Sequence, residues 1–270
     1  MVTDPSARVA DPHRRAARPG GAAQPWILTY HSVGDPTDDP YGITVSAERL
    51  GQQLAWLRSR RLVGVGVAAL LRAHAQGRRG LVGLTFDDGY GDFLDQGLPV
   101  LRRYGCTATV FVLPGRLAGQ NDWDPLGPRK TLLTERQIRS LADAGMEVGS
   151  HGLYHQDLTA LGDAELRAET RHSRDLLREI TGTAPAGFCY PYGVADPRVV
   201  DAVRDAGYAY GCALRPGPLA GEHALPRTHV SHADLGLRLR AKELRHRMRH
   251  RAGRTPSGPP PTGIRRGDAR

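Results

Sequence analysis

No stretch of this 270-residue chain approaches the roughly 18–20 consecutive apolar residues that cross a bilayer, which excludes a membrane-spanning helix. The three cysteines, Cys106, Cys189 and Cys212, are an odd number without a CxxC pair. They lie in apolar, strand-like segments, so buried free thiols in a reducing compartment are expected rather than a disulfide framework or a thiolate zinc site. The phosphate-cradling patterns GxGxxG and GxxxxGK[ST] are both missing, which argues against nucleotide chemistry. No internal repeat is found. Residues 1–21 carry arginines but no apolar run after them, so no secretory signal is read there, and the expected location is cytoplasmic.

What is present is an ordinary globular composition, 40% hydrophobic and 24% charged. The net charge of +9 would suit a nucleic-acid binder if it were spread over the fold. Residues 238–270 alone carry a balance of +9 and residues 1–25 one of +2, leaving residues 26–237 near −2. The basic character belongs to the ends, and no nucleic-acid partner is expected for the body. Residues 1–24 and 253–270 are aperiodic and rich in Pro, Gly and Arg, and read as a disordered arm and tail.

Between these ends, strand-like and helix-like segments alternate. Strands are expected at residues 26–31, 63–67, 81–86, 107–113, 146–149, 188–190, 208–213 and 225–230. Helices are expected after a cap at Ser46, at 68–76, before Gly105, from a cap at Thr134 to Gly145, at 163–180, and from Asp196-Pro197. Repeated β-then-α order implies a parallel sheet covered by helices, and about seven such units in one domain favour a closed or nearly closed barrel. The domain expected to carry it spans residues 25–235.

In such a barrel the site lies where strands end. Four strand ends bear chemistry: Tyr30-His31-Ser32, Asp87-Asp88-Gly89-Tyr90, Ser150-His151-Gly152-Leu153-Tyr154-His155 and Pro191-Tyr192-Gly193. His151 and His155 are four apart, so one helical turn would put both imidazoles on one side. Two imidazoles and one carboxylate make a three-ligand site for a divalent metal with open positions. One of the paired aspartates would complete that set. The other, turned away at Gly89, would be free to act as a base.

Thr85-Phe86-Asp87-Asp88-Gly89-Tyr90 resembles the TFDDG motif of the polysaccharide deacetylases, the NodB-homology or carbohydrate esterase 4 family. The segment from Ser150 to His155 resembles that family's SHxxxH motif, and Phe188-Cys189-Tyr190-Pro191-Tyr192-Gly193 its third. The resemblance implies a distorted (β/α)7 barrel, an α/β fold, and hydrolysis of the acetamide of an N-acetylated sugar. It implies one divalent metal on Asp88, His151 and His155, with zinc the first expectation and iron, nickel or cobalt able to serve. Asp87 would be the general base. The backbone N–H of Tyr192, with Pro191 and Tyr190 around it, would face the substrate and the oxyanion. Cys189 stands where many members have an arginine that orients the base, and Arg227 is the candidate substitute. The N-terminal Tyr30-His31-Ser32-Val33 resembles a branch, including poly-N-acetylglucosamine deacetylases, whose general acid comes from the first strand. His31 is therefore the expected acid, with His229 the second candidate. Two readings compete: a catalytically impaired barrel that only binds glycans, and a protein that binds membrane or nucleic acid through its basic C-terminal tail.

Residues 236–252 form an expected basic amphipathic helix. Leu237, Ala241, Leu244 and Met248 make one apolar stripe, with Arg238, Lys242, Arg245 and Arg249 around it. The segment 237–251 suits either peripheral contact with the inner leaflet of an anionic membrane or docking on the barrel through the stripe.

Overall fold

The computed structural model describes residues 24–214, 219 and 221–249. The expected arm at 1–24 lies outside these residues except for Gln24, and the tail at 253–270 lies outside them entirely. In chain order the elements are β1 (Ile27–Tyr30), β2 (Ser32–Val33), β3 (Thr44–Val45), α1 (Ala47–Ser59), β4 (Val63–Val65), α2 (Val67–Ala75), β5 (Leu81–Phe86), α3 (Leu98–Arg103), β6 (Thr109–Val112), α4 (Glu135–Asp143), β7 (Glu147–Ser150), α5 (Asp163–Arg167), α6 (Ser173–Thr181), β8 (Gly187–Cys189), α7 (Pro197–Asp205), β9 (Tyr210–Ala213), β10 (Leu225–Pro226), β11 (Thr228–His229) and α8 (Gly236–Arg249).

The capping residues start their helices for the expected reason. The side chains of Ser46, Thr134 and Asp196 accept the backbone N–H groups of Arg49, Gln137 and Val199, satisfying donors that the first turn leaves over. Gln137 returns the bond to Thr134, completing a capping box.

All pairings in the main sheet are parallel, in the order β10-β9-β8-β7-β6-β5-β1-β11, with β4 beside the first half of β5. The two ends of that path are one chain segment. Leu225 and Pro226 pair with Cys212 and Ala213 of β9, and Thr228 and His229 pair with Leu28 and Thr29 of β1. A single residue, Arg227, makes the crossing, so the sheet closes into a distorted barrel. The strand expected at 225–230 is thus two short strands broken at Arg227, because one segment serves two neighbours at different heights.

Strand alternation sorts side chains into two cores. Leu28, Tyr30, Leu84, Phe86, Val110 and Val112 face the helices. Ile27, Phe111, Cys189, Tyr210, Cys212 and Leu225 fill the barrel. A Cβ at Gly187 would lie 2.1 Å from the ring of Tyr210, so only glycine lets that tyrosine lie across the interior. All three cysteines are buried and free.

Three helices depart from expectation, the one before Gly105 by opening with a π-helical turn at Phe93–Gly97 ahead of α3. The helix expected at 163–180 carries a π-helical turn at Ala168–His172 between α5 and α6. The C-terminal helix is present to Arg249, and residues 250–252 lie outside the description. It does not dock through its apolar stripe. Leu239 and Glu243 face the barrel, while Leu237 is 85% exposed, Leu244 54% and Met248 62%. Polar anchors on the inward face decide this rotation: Lys242 Nζ donates to His229 O and pairs with Asp234, and Glu243 lies 3.8 Å from Arg60.

Candidate active site

The chain leaves β5 through Asp87, whose N–H still donates to Tyr30 O at 3.0 Å. Asp88 and Gly89 then both take left-handed backbone, φ 71° and 69°. For Asp88 that conformation costs roughly 1 kcal/mol, and it sends its carboxylate away from that of Asp87. His155 (φ 61°) and Tyr192 (φ 58°) share the conformation. Three of the five non-glycine residues with positive φ among the described residues therefore sit in this one site.

Both aspartates are buried. Asp88 Oδ1 lies 3.2 Å from His151 Nε2 and 3.3 Å from His155 Nε2, and no hydrogen bond of regular geometry satisfies it. His151 Nδ1 is 2.8 Å from the carbonyl of Cys189. A carbonyl only accepts, so that nitrogen carries the proton, and the neutral ring turns a lone pair on Nε2 towards a carboxylate oxygen. Two acceptors in a buried space need a cation or an added proton between them. Burial works against charge on both groups. The imidazoles outweigh it at Asp88, holding that carboxyl well below its usual range, and the carboxylates outweigh it at His151, raising that imidazole. The three donor atoms lie within 4.8 Å of one another. The set therefore fits a divalent metal, one carboxylate and two imidazoles on a buried floor.

The histidine pair is not on a helical turn, as its spacing suggested. Residues 151–155 are a loop with left-handed backbone at Gly152 (φ 82°) and His155. What shapes that loop is Glu169, a residue with no motif to mark it. Its buried carboxylate accepts the N–H groups of Leu153 at 2.5 Å and Tyr154 at 3.3 Å. The π-helical turn at Ala168–His172 sets Glu169 there. A Cβ at Gly152 would lie 2.6 Å from its Oε2.

Asp87 is held separately. Arg227 Nη1 donates to Asp87 Oδ1 at 2.6 Å and to Thr85 Oγ1 at 3.0 Å, and its guanidinium stands 5.9 Å from the Phe111 ring centroid. Thr29 Oγ1 reaches Asp87 Oδ2 at 3.3 Å, and the Cys189 thiol lies 3.6 Å from the same oxygen. Burial would raise the Asp87 carboxyl, but Arg227 and His31 hold it below its usual value. The Cys189 thiol is pushed well up by burial and stays protonated. A charged partner for Asp87 is thus supplied from the barrel-closing segment, while Cys189 fills the inward position on β8.

His31, one residue past β1, sets Nε2 3.9 Å from Asp87 Oδ2. Its ring centre is 6.0 Å from that of His229. Burial, then His31 and Lys242, lower His229 to about 4. Tyr192 occupies a 3-10 turn with its ring edge-on to His155, centroids 4.6 Å apart, and is half exposed. Pro191 beside it is buried. Tyr190 points the other way: it is fully buried and its hydroxyl donates to His223 O at 2.7 Å, so its side chain belongs to the core. Trp123, from the long connection after β6, stacks on His155 with centroids 4.5 Å apart. Nothing in that loop's sequence pattern marked it.

A family model described as polysaccharide deacetylase matches residues 74–211, just over half of the chain. A Bacillus subtilis protein assigned to the polysaccharide deacetylases is 28% identical over 211 residues, covering 76% of this chain and 71% of that one. A chitin deacetylase of Colletotrichum lindemuthianum is 34% identical over 152 residues, 56% of each chain. A poly-beta-1,6-N-acetyl-D-glucosamine N-deacetylase of Escherichia coli is 26% identical over 73% of this chain, though this chain covers only 35% of that longer protein. The fold matches a Streptococcus pyogenes deacetylase solved in complex with acetate, with a TM-score of 0.69 at 21% identity over 82% of this chain and 98% of the other. On that family match the chain belongs to the polysaccharide deacetylases and is a carbohydrate deacetylase, a hydrolase of amide bonds.

Proposed function

We propose that this protein removes acetyl groups from an N-acetylated sugar polymer, with one divalent metal held by Asp88, His151 and His155. The observation that carries the metal is the facing of Asp88 Oδ1 and His151 Nε2 at 3.2 Å, with the other ring nitrogen committed to the Cys189 carbonyl. A cation at those ligands supplies Lewis acidity, making water more acidic and polarising the acetamide carbonyl.

The chain's own residues divide the remaining work. Asp87, kept anionic by Arg227, takes a proton from the attacking water through the oxygen that Arg227 leaves free, Oδ2. The backbone N–H of Tyr192 donates to the oxyanion. The departing amine needs a proton, because an amide anion is a very poor leaving group. His31 gives it, being partly exposed and close to Oδ2 of Asp87. His229, shifted to about 4, is neutral at pH 7 and is the poorer donor. The half-exposed Tyr192 and the Trp123 ring, both packed against His155, offer apolar surface for sugar rings. The names of the chitin and poly-N-acetylglucosamine relatives support a polymer of N-acetylglucosamine as substrate.

The test pairs metal content with acetate release from β-1,4- and β-1,6-linked N-acetylglucosamine oligomers. Asp87→Asn should keep its metal and lose roughly 100-fold or more in kcat. His155→Ala should lose the metal while the protein stays folded. Full occupancy in His155→Ala, or equal metal loss in both variants, overturns the assignment.

A further inference from the structure

We infer that the outward face of α8 is a landing surface for an anionic lipid bilayer. Barrel-facing contacts and solvent-facing residues divide this helix cleanly. Inward, Leu239 and Glu243 are buried, Lys242 is tied to His229 O and Asp234, and His246 lies 3.0 Å from Gln24 O. Those ties set the helix rotation, and turning it to bury the stripe would break them. Outward stand Leu237, Ala241, Leu244 and Met248, all exposed, along about 16 Å of helix.

At 100° per residue these four fall within one narrow arc. Arg238, Arg245 and Arg249 lie on one flank of that arc and Arg240 and Arg247 on the other, all exposed. The single acid of the helix, Glu243, faces inward, between Arg60 and Arg247. An apolar ridge between two rows of guanidinium groups is the pattern of a helix lying in a membrane interface. The ridge enters the acyl boundary and the arginines bind headgroup phosphates.

Charge and polarity select this occupant over two others. A second copy of the helix would bring arginine rows against arginine rows with no acid to separate them. A polyanion such as nucleic acid would neutralise the arginines but leave Leu237, Leu244 and Met248 in water. An anionic bilayer satisfies both chemistries at once. Residues 250–270 continue basic in sequence, with five arginines and one aspartate, and their charge alone predicts attraction without any need for the stripe.

The deciding experiment is co-sedimentation of the full chain with phosphatidylglycerol-containing vesicles and with pure phosphatidylcholine vesicles. The expected result is binding to the first and not the second. A Leu237→Ser/Leu244→Ser/Met248→Ser variant keeps every charge, and should bind at least about tenfold more weakly, since it removes the inserted area. Its circular dichroism and its turnover of a soluble oligomer should match the parent, since none of the three residues touches the site. Equal binding by parent and variant would mean that charge alone acts, and overturns the proposal. So does a parent that ignores anionic vesicles, or one that forms a dimer which the triple variant dissociates.

Discussion

At the scale of single residues, the site is a set of placements that motif spacing alone does not convey. Asp87 and Asp88 are adjacent in sequence yet serve separate neighbourhoods, because left-handed backbone at Asp88 splits their directions. The partner of Asp87 is the sharpest example. Arg227 and Cys189 approach the same carboxylate from neighbouring positions of the barrel interior, at 2.6 Å and 3.6 Å from its two oxygens. Arg227→Ala should cost on the order of 3–5 kcal/mol of stability, since it leaves a buried carboxylate without its cation. Cys189→Arg alone should also destabilise, by overpacking the interior beside Arg227. The pair Cys189→Arg/Arg227→Ala moves the charge to the position from which many family members supply it. It is expected to recover most of the stability and part of the kcat lost in Arg227→Ala, as read by urea titration and acetate release. A double variant no better than Arg227→Ala would show that the direction of approach, and not only the charge, matters.

At the scale of elements, two local irregularities matter: one shapes the site and the other seats α8 on the barrel. The π-helical turn at Ala168–His172 aims Glu169 at the amides of Leu153 and Tyr154. Glu169→Ala leaves the buried N–H of Leu153 and the part-buried N–H of Tyr154 unpaired, which should cost about 1–3 kcal/mol for the buried one and weaken metal affinity by roughly 10–100-fold. Glu169→Gln keeps an acceptor oxygen and should fall between the two, measured by metal titration of the purified variants. The second irregularity is the turn before α8. There Asp234 accepts from Ser231 N and Oγ and pairs with Lys242, tying the helix to the barrel. Burial would raise the Asp234 carboxyl, but the Lys242 bond and the Ser231 bonds hold it below its usual value. A carboxyl depressed in the folded state contributes stability above its unfolded pKa and loses it as pH falls through the folded one. Asp234→Asn should therefore be less stable by about 1.5–3 kcal/mol at pH 7. That gap should close as the pH is lowered through the depressed titration, in denaturant titrations of both proteins. A gap independent of pH would mean that the carboxylate's charge contributes nothing.

At the scale of the whole molecule, the proposed ligands come from separate staves. Asp88 follows β5, while His151 and His155 follow β7, with β6 between them. A cation bound there joins parts of the barrel that are distant in sequence and has no such site in the unfolded chain. At a free metal concentration about a hundred times Kd the folded state gains about 2.7 kcal/mol, which for a domain of this size is a rise in Tm of roughly 5–10 °C. Calorimetry with and without zinc should show that rise in the parent and not in His151→Ala. An equal rise in both would place the bound metal elsewhere.

The order of the main-sheet strands and the helices, the capping residues, the charge confined to the ends and the motifs carrying Asp87, Asp88, His151 and His155 were legible in the sequence, whereas the short β2–β3 pair was not. Each rests on local physics: hydrophobic period, hydrogen bonds within a turn, and side chains at strand ends. The strand at 225–229 was legible as a strand, but its division between β9 and β1 was not, because closure is a property of the whole ring. The loop holding His151 and His155 looked helical by spacing, since a four-residue interval does not record the left-handed backbone that Gly152 and His155 adopt. Glu169 and Trp123 were invisible for the same reason: their partners lie sixteen and thirty-two residues away, across loops without periodicity. The stripe on α8 was plain from its period, but a period gives only which residues share a face. Which face meets the barrel was decided by Lys242, Glu243 and His246, whose partners at Asp234, Arg60 and Gln24 come together only once the chain has folded.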